Sequence, residues 1–251
     1  MKLEERFWEI DLLRGVAILM MIGYHVPYDL DYFGAYTVDV QSGFWLYYAR
    51  ATATIFLLLV GISLTLSFSR ATRIEKTAKK LYPKYLNRGL RIFSWGLVIT
   101  VTTWIILREG FVVFGILHLI GISIILAYPV LKVRYGNLVL GIMFIALGMF
   151  IKKVTVGFSW LLWLGLTPAR FYSVDYFPLV PWFGVVLIGV FLGNSLYPQY
   201  TRSFELYDLS KFAVIRFLCL LGRHSLLIYL VHQPVLITVL YLLDFVTIGW
   251  R

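Results

Sequence analysis

The sequence predicts an all-α fold: a polytopic integral membrane helix bundle of about seven transmembrane helices, with short interfacial elements and a cytoplasmic N-terminus. Three observations carry this. Hydrophobic residues make up 60% of the chain and charged residues 14%, with a mean hydropathy of +0.82. A soluble domain of 251 residues has too little interior to hide that much apolar surface. Runs close to the ~20 apolar residues that cross a bilayer recur at 9–28, 43–68, 87–107, 112–131, 135–151, 179–197 and 225–243. Finally, the formal charge of +10 is concentrated at a few helix ends. The spans leave no room for a separate soluble domain, so residues 1–251 read as one transmembrane domain.

The N-terminal MKLEERFWEID mixes both charge signs and runs straight into a full-length span, unlike a cleavable signal peptide. After the first span, residues 27–42 are acidic and lack Lys and Arg. The second span opens with Trp45, Tyr47 and Tyr48, aromatics suited to the membrane–water boundary. Between the second and third spans, residues 70–91 hold eight Lys or Arg against Glu75 alone. The positive-inside rule places this segment and the N-terminus in the cytoplasm and residues 27–42 outside, although Lys152 and Lys153 then fall on the outer side. Beside helix ends such a basic run reads as an anionic-lipid contact and not a nucleic-acid site. Residues 132–137 and 198–211 fall inside by alternation. The aromatic stretch 158–171 suggests an outer interfacial or re-entrant element, and 211–224, with Arg216 and Arg223, an amphipathic helix on the inner face. Cys219, the single cysteine, excludes an internal disulfide and a cysteine metal site and reads as a packing residue. No metal site is expected.

Ionisable groups within spans are costly, which makes each a functional candidate. Arg14 and His25 are eleven residues apart, three turns plus about 20°, and share a helix face about 16 Å apart along the axis. Asp11 can pair with Arg14. The plain alternative is that Arg14 and His25 snorkel to opposite interfaces. Arg50 and His118 fall near the level of His25. Asp29 and Asp31 follow His25 and could orient its imidazole or pair with Arg50. His118 lies between Gly115 and Gly121, where small residues permit close approach of a helix or a ligand. In the last span Ser225 and His232 share a face with Tyr229 between them, and Pro234 frees a backbone carbonyl. Arg88, Arg91, Arg223 and His224 join Arg14 in a cationic vestibule suited to phosphate groups. Positive-inside anchoring explains Arg88 and Arg91 equally well. No phosphate-binding glycine loop, HExxH or G-x-S-x-G occurs.

RFWEIDLLRGVAILMMIGYHVPYDLDYFG, FLLLVGISLTLSFSR, FGILHLIGIS, LVPWFGVVLIGVFLG and LGRHSLLIYLVHQPVLI, in this order, resemble the prokaryotic branch of the heparan-α-glucosaminide N-acetyltransferase catalytic-domain family. RGVAILMMIGYH is also similar to the arginine–x10–histidine signature of the membrane acyltransferase-3 family. The resemblance implies a multi-pass cell-membrane enzyme moving an acyl group, commonly acetyl, from acyl-CoA to a hydroxyl or amine of a carbohydrate-like acceptor. It implies His25 as general base or transient acyl acceptor, helped by Arg14; the reading of the residues adds Asp29 beside His25, and His118 and His232 as orienters or alternative bases. CoA phosphates would meet Arg88, Arg91, Arg223 and His224, and acceptor contacts would come from Arg50, Asp31, Trp182, Tyr229 and His232. Two departures stand out. The lysosomal branch is thought to carry its histidine after the first helix, yet residues 26–43 here contain none, so heparan chemistry is not carried over. Relatives have ten or eleven spans, so a complete pore would need a homodimer, or the chain is a reduced member with another role.

Two other classes compete. A transporter or flippase for an anionic solute or lipid would use the same polar groups, but inverted repeats are missing. A seven-helix receptor or retinal protein fits poorly, because the last helix has no Lys for a Schiff base.

Overall fold

A computed structural model describes residues 6–74 and 81–246. Lys76, Lys79 and Lys80 of the basic 70–91 segment, and the first five residues, lie outside the described residues. Eight α-helices occur among those described: α1 (Trp8–Tyr32), α2 (Gly43–Ile74), α3 (Tyr82–Leu107), α4 (Ile116–Ala127), α5 (Tyr135–Ile151), α6 (Leu179–Leu196), α7 (Ala213–Arg223) and α8 (Ser225–Leu242). Seven of them coincide with the seven predicted spans. Five (α1, α2, α3, α6 and α8) are long and apolar enough to cross a membrane, whereas α4 and α5 are shorter. The chain is therefore a helical, multi-pass membrane protein. Trp95, Val98, Val101, Trp104 and Ile105 of α3 are all exposed on one continuous helix. So large an apolar surface is stable only against lipid or another apolar partner.

The helices divide between two compact units. One comprises residues up to 59 together with 206 onward: α1, the first half of α2, α7 and α8. Here α1 packs along α7 and also against α8. The α1–α7 crossing depends on two glycines. A Cβ at Gly15 would collide with the Leu218 carbonyl oxygen, and one at Gly222 with the Asp11 carbonyl oxygen. The two backbones are in contact, which only small residues permit. Beside the crossing, the buried Cys219 thiol donates to the Trp8 carbonyl at 3.3 Å.

The other unit spans residues 60–205. Within it α5 packs on α6 and α3 on α4. Thr65 of α2, 1% exposed, donates to its own helix at Gly61 and lies 3.3 Å from the Val190 carbonyl of α6. Asn194 of α6 donates to the Leu131 carbonyl at 2.9 Å.

Two elements differ from expectation, and a third takes a form that the sequence left open. α1 does not stop at residue 28 but runs through Pro27 to Tyr32, so Asp29 and Asp31 lie on the helix and not in a connector. α4 begins at Ile116, four residues late, because Phe114 is drawn into a bridge with Tyr176. The 158–171 stretch is a set of turns without a helix, tied by a Thr155–Thr167 bridge. The nearby Tyr176 hydroxyl donates to the Leu162 carbonyl at 2.7 Å, and burial pushes this phenol up to about 12. The 211–224 stretch is helical, as α7.

The α1–α7 contact predicts that Gly222→Leu lowers stability by about 3 kcal/mol or more, the cost of overpacking against backbone. Gly157, where a Cβ meets nothing within 4 Å, should tolerate alanine to within about 0.5 kcal/mol. Thermal unfolding in detergent checks both, and equal midpoints for the two variants would contradict the contact.

Candidate active site

α1 and α8 bring four polar side chains together in two contacts. Tyr24 and Tyr28 flank His25, with ring centroids at 5.6 and 6.1 Å. The His25 and His232 rings lie 4.7 Å apart and nearly perpendicular. One turn further along α1, Asp29 Oδ1 accepts from Gln233 Nε2 at 2.5 Å. The two contacts have a local origin. His25 and Asp29 are four residues apart and share a face of α1, and they do so only because α1 continues past Pro27. His232 and Gln233 are consecutive on α8, just before Pro234.

The backbone sets the tautomer of both histidines. His25 Nδ1 lies 2.8 Å from the Met21 carbonyl, and His232 Nδ1 lies 2.6 Å from the Tyr229 carbonyl. A carbonyl only accepts, so each Nδ1 carries the proton and each Nε2 keeps its lone pair. Asp29 Oδ2, His232 Nε2 and Gln233 Oε1 are buried with no hydrogen-bond partner in the chain. Asp29 is only 1% exposed and His232 9%. A buried polar group left unpaired costs about 1–3 kcal/mol, so three beside one another mark a place built for something other than packing.

At the other end of α1, Asp11 is 4% exposed and receives two guanidinium groups. Arg14 reaches Oδ1 at 3.0 Å, the i,i+3 pairing expected from sequence, and Arg223 Nε reaches Oδ2 at 3.2 Å. His224 caps α7, with Nδ1 2.9 Å from the Leu220 carbonyl. Asp31 accepts from the Val38 amide at 3.0 Å, shaping the turn after α1. Arg50 is exposed on α2. Tyr229 has its ring 5.5 Å from that of His232. Thus His25, Asp29, His232 and Tyr229 gather at one end of α1, and Arg14, Arg223 and His224 at the other.

His118, Trp182, Arg88 and Arg91 belong to the 60–205 unit. His118 is 2% exposed, stacked on Phe114 and edge-on to Phe93. Its Nδ1 accepts from the Gly115 amide at 3.2 Å, and its Nε2 lies 3.5 Å from Thr100 Oγ1. Both ring nitrogens are engaged, so this histidine holds the start of α4. Its ring also fills the space a side chain at Gly96 would need. Trp182 packs on Phe177, with rings 5.0 Å apart. Arg88 and Arg91 are exposed near the start of α3.

Gln233 is not among the site candidates named from the sequence. Its adjacency to His232 was the available signal, but its partner lies 204 residues away.

The family described as heparan-alpha-glucosaminide N-acetyltransferase, catalytic, matches this chain over residues 6–234. No curated protein and no solved structure matches it. The matched region runs from just before α1 to Pro234, within α8, and so contains all four side chains of the two α1–α8 contacts. The chain belongs to the heparan-alpha-glucosaminide N-acetyltransferase catalytic-domain family, as a membrane-embedded member of that transferase group.

Proposed function

We propose that the chain transfers an acyl group, most simply acetyl, from acyl-CoA to a hydroxyl or amine acceptor bound between α1 and α8, with His25 as general base. One observation carries this reading. Asp29 Oδ2, His232 Nε2 and Gln233 Oε1 are all unpartnered acceptor atoms, and the Met21 carbonyl leaves His25 Nε2 an acceptor too. A ligand matching them must bring N–H or O–H donors, as an amine or a polyhydroxylated sugar does.

In this mechanism His25 Nε2 takes the proton from the acceptor heteroatom as that atom attacks the thioester carbonyl. A C–O or C–N bond forms and the C–S bond breaks. The proton held by His25 then passes to the departing CoA thiolate. The Met21 carbonyl supports the ring by accepting from Nδ1–H as the imidazole becomes cationic. His232, Gln233 and Asp29 hold the acceptor's remaining donors and fix its approach. His118, with both nitrogens engaged, supports α4 and takes no proton. The basic 70–91 segment favours a cytoplasmic N-terminal end of α1. CoA phosphates then approach the end bearing Arg14, Arg223 and His224, and the acceptor approaches the end bearing His25. Which acyl chain is used, and whether the acceptor is a sugar, are parts of this same proposal.

Purified protein given acetyl-CoA and a panel of amino sugars and polyols should release free CoA thiol. His25→Ala should lower that rate about 100-fold or more, the usual contribution of a positioned general base. Release at the wild-type rate would remove His25 from the chemistry. Asp29→Asn should raise KM for the acceptor about tenfold or more, as expected for a weakened hydrogen bond to a charged group, while KM for acetyl-CoA stays within about twofold. An unchanged acceptor KM would place the acceptor elsewhere. If no CoA ester raises the melting temperature of the wild-type protein, a transport role becomes the better reading.

A further inference from the structure

At the opposite end of α1 from the histidines, α7 and the start of α1 border a cavity of about 460 Å³. Arg216 and Arg223 of α7 line it, with Trp8 of α1, Ser210 and the apolar side chains Phe217 and Leu220. Arg216 and Arg223 are seven residues apart, which puts both guanidinium groups on one face of α7 about 10 Å apart along its axis. Among the described residues no carboxylate lines the cavity. Asp11 receives Arg14 and meets Arg223 through Nε, so the terminal amino groups of Arg223 remain for another acceptor. Asp208 bonds the Ser210 amide. Two guanidinium groups thus line the cavity, one of them already paired through Nε with Asp11.

The wall of this cavity is as informative as its charge. Phe217 is 56% exposed and Leu220 50%, so α7 shows apolar and cationic groups on the same outward side. That is the composition of a helix lying in a membrane interface. A small, purely hydrated anion would gain nothing from Trp8 and Phe217. A phosphate ester uses both parts, its oxygens on the guanidinium forks and its organic portion on the aromatic wall.

We propose that this cavity binds a phosphate ester, with Arg216 and Arg223 gripping the phosphate oxygens and Trp8 and Phe217 packing on the attached organic group. Two sources share this chemistry: the headgroup of an anionic phospholipid, and the nucleotide end of CoA. The nucleotide source rests on the proposed function, which brings CoA phosphates to this end of α1, whereas the lipid source does not; neither requires His25 to act as a base.

The test uses the full chain in nanodiscs and two probes. Adenosine 3′,5′-bisphosphate is titrated in phosphatidylcholine nanodiscs. Retention of phosphatidylglycerol is measured by native mass spectrometry after reconstitution in a mixture with phosphatidylcholine. Each is read on the wild type, on Arg216→Gln, and on Lys153→Gln as a control that removes one exposed cation elsewhere. At least one probe should bind the wild type and lose about tenfold in affinity or retention in Arg216→Gln, the scale of a charge-assisted hydrogen bond, with Lys153→Gln within about twofold of wild type. Loss of bisphosphate binding identifies the nucleotide source, and loss of phosphatidylglycerol retention the lipid source. Three results overturn the proposal: neither probe binding, binding that Arg216→Gln leaves unchanged, or Lys153→Gln weakening binding as much as Arg216→Gln, which would reduce the effect to net charge. Because these readouts involve no turnover, they fail or succeed separately from the acyl-transfer reading.

Discussion

A polar side chain inside hydrocarbon has no water to fall back on, and α1 carries such side chains at both ends of its apolar length. Each end meets this constraint with a neighbour distant in sequence. Asp11 is 4% exposed and survives there because Arg14 from its own helix and Arg223 from α7 neutralise it. Asp29 is buried more deeply and finds its partner in Gln233 of α8. The glycine contact of α1 with α7 brings Arg223 within reach of Asp11, while the α1–α8 packing brings Gln233 to Asp29. Packing and polar satisfaction are therefore one problem here, solved helix by helix.

The two ends solve it to different degrees. At the Asp11 end both carboxylate oxygens have cationic donors. At the Asp29 end one oxygen is served and three neighbouring atoms are not. The first arrangement is what a structural ion pair requires. The second leaves buried acceptor atoms on three neighbouring side chains without a donor, which suits a site whose ligand brings the donors. His118 is the instructive contrast within the same chain. It is more deeply buried than Asp11 or His232, yet both its nitrogens are occupied and aromatic rings flank it.

Much of this was legible in the residues. Apolar runs of membrane length located the helices, and the i,i+3 spacing of Asp11 and Arg14 announced their pairing. The alternation of cationic and apolar residues over 211–224 announced α7. The reach of α1 was not legible, because Pro27 and the acidic residues after it read as a connector. A proline inside a membrane helix removes one N–H, yet neighbouring groups can compensate, and only the packed bundle reveals that they do. The turns at 158–171 were obscured for a related reason, since aromatic richness does not distinguish a re-entrant helix from a bridged loop. The His25–His232 and Asp29–Gln233 contacts lay beyond local reading altogether. Periodicity places residues on a face but does not say which helix that face meets.

The two α1–α8 contacts lie one turn apart on α1. A single contact would let α8 swivel about it, whereas two separated contacts fix both height and rotation. The screw motion that would carry His232 away from His25 would also pull Gln233 from Asp29. The site therefore acquires its geometry when the helices assemble, and a ligand arriving between them spends little of its binding free energy on arranging the groups that receive it.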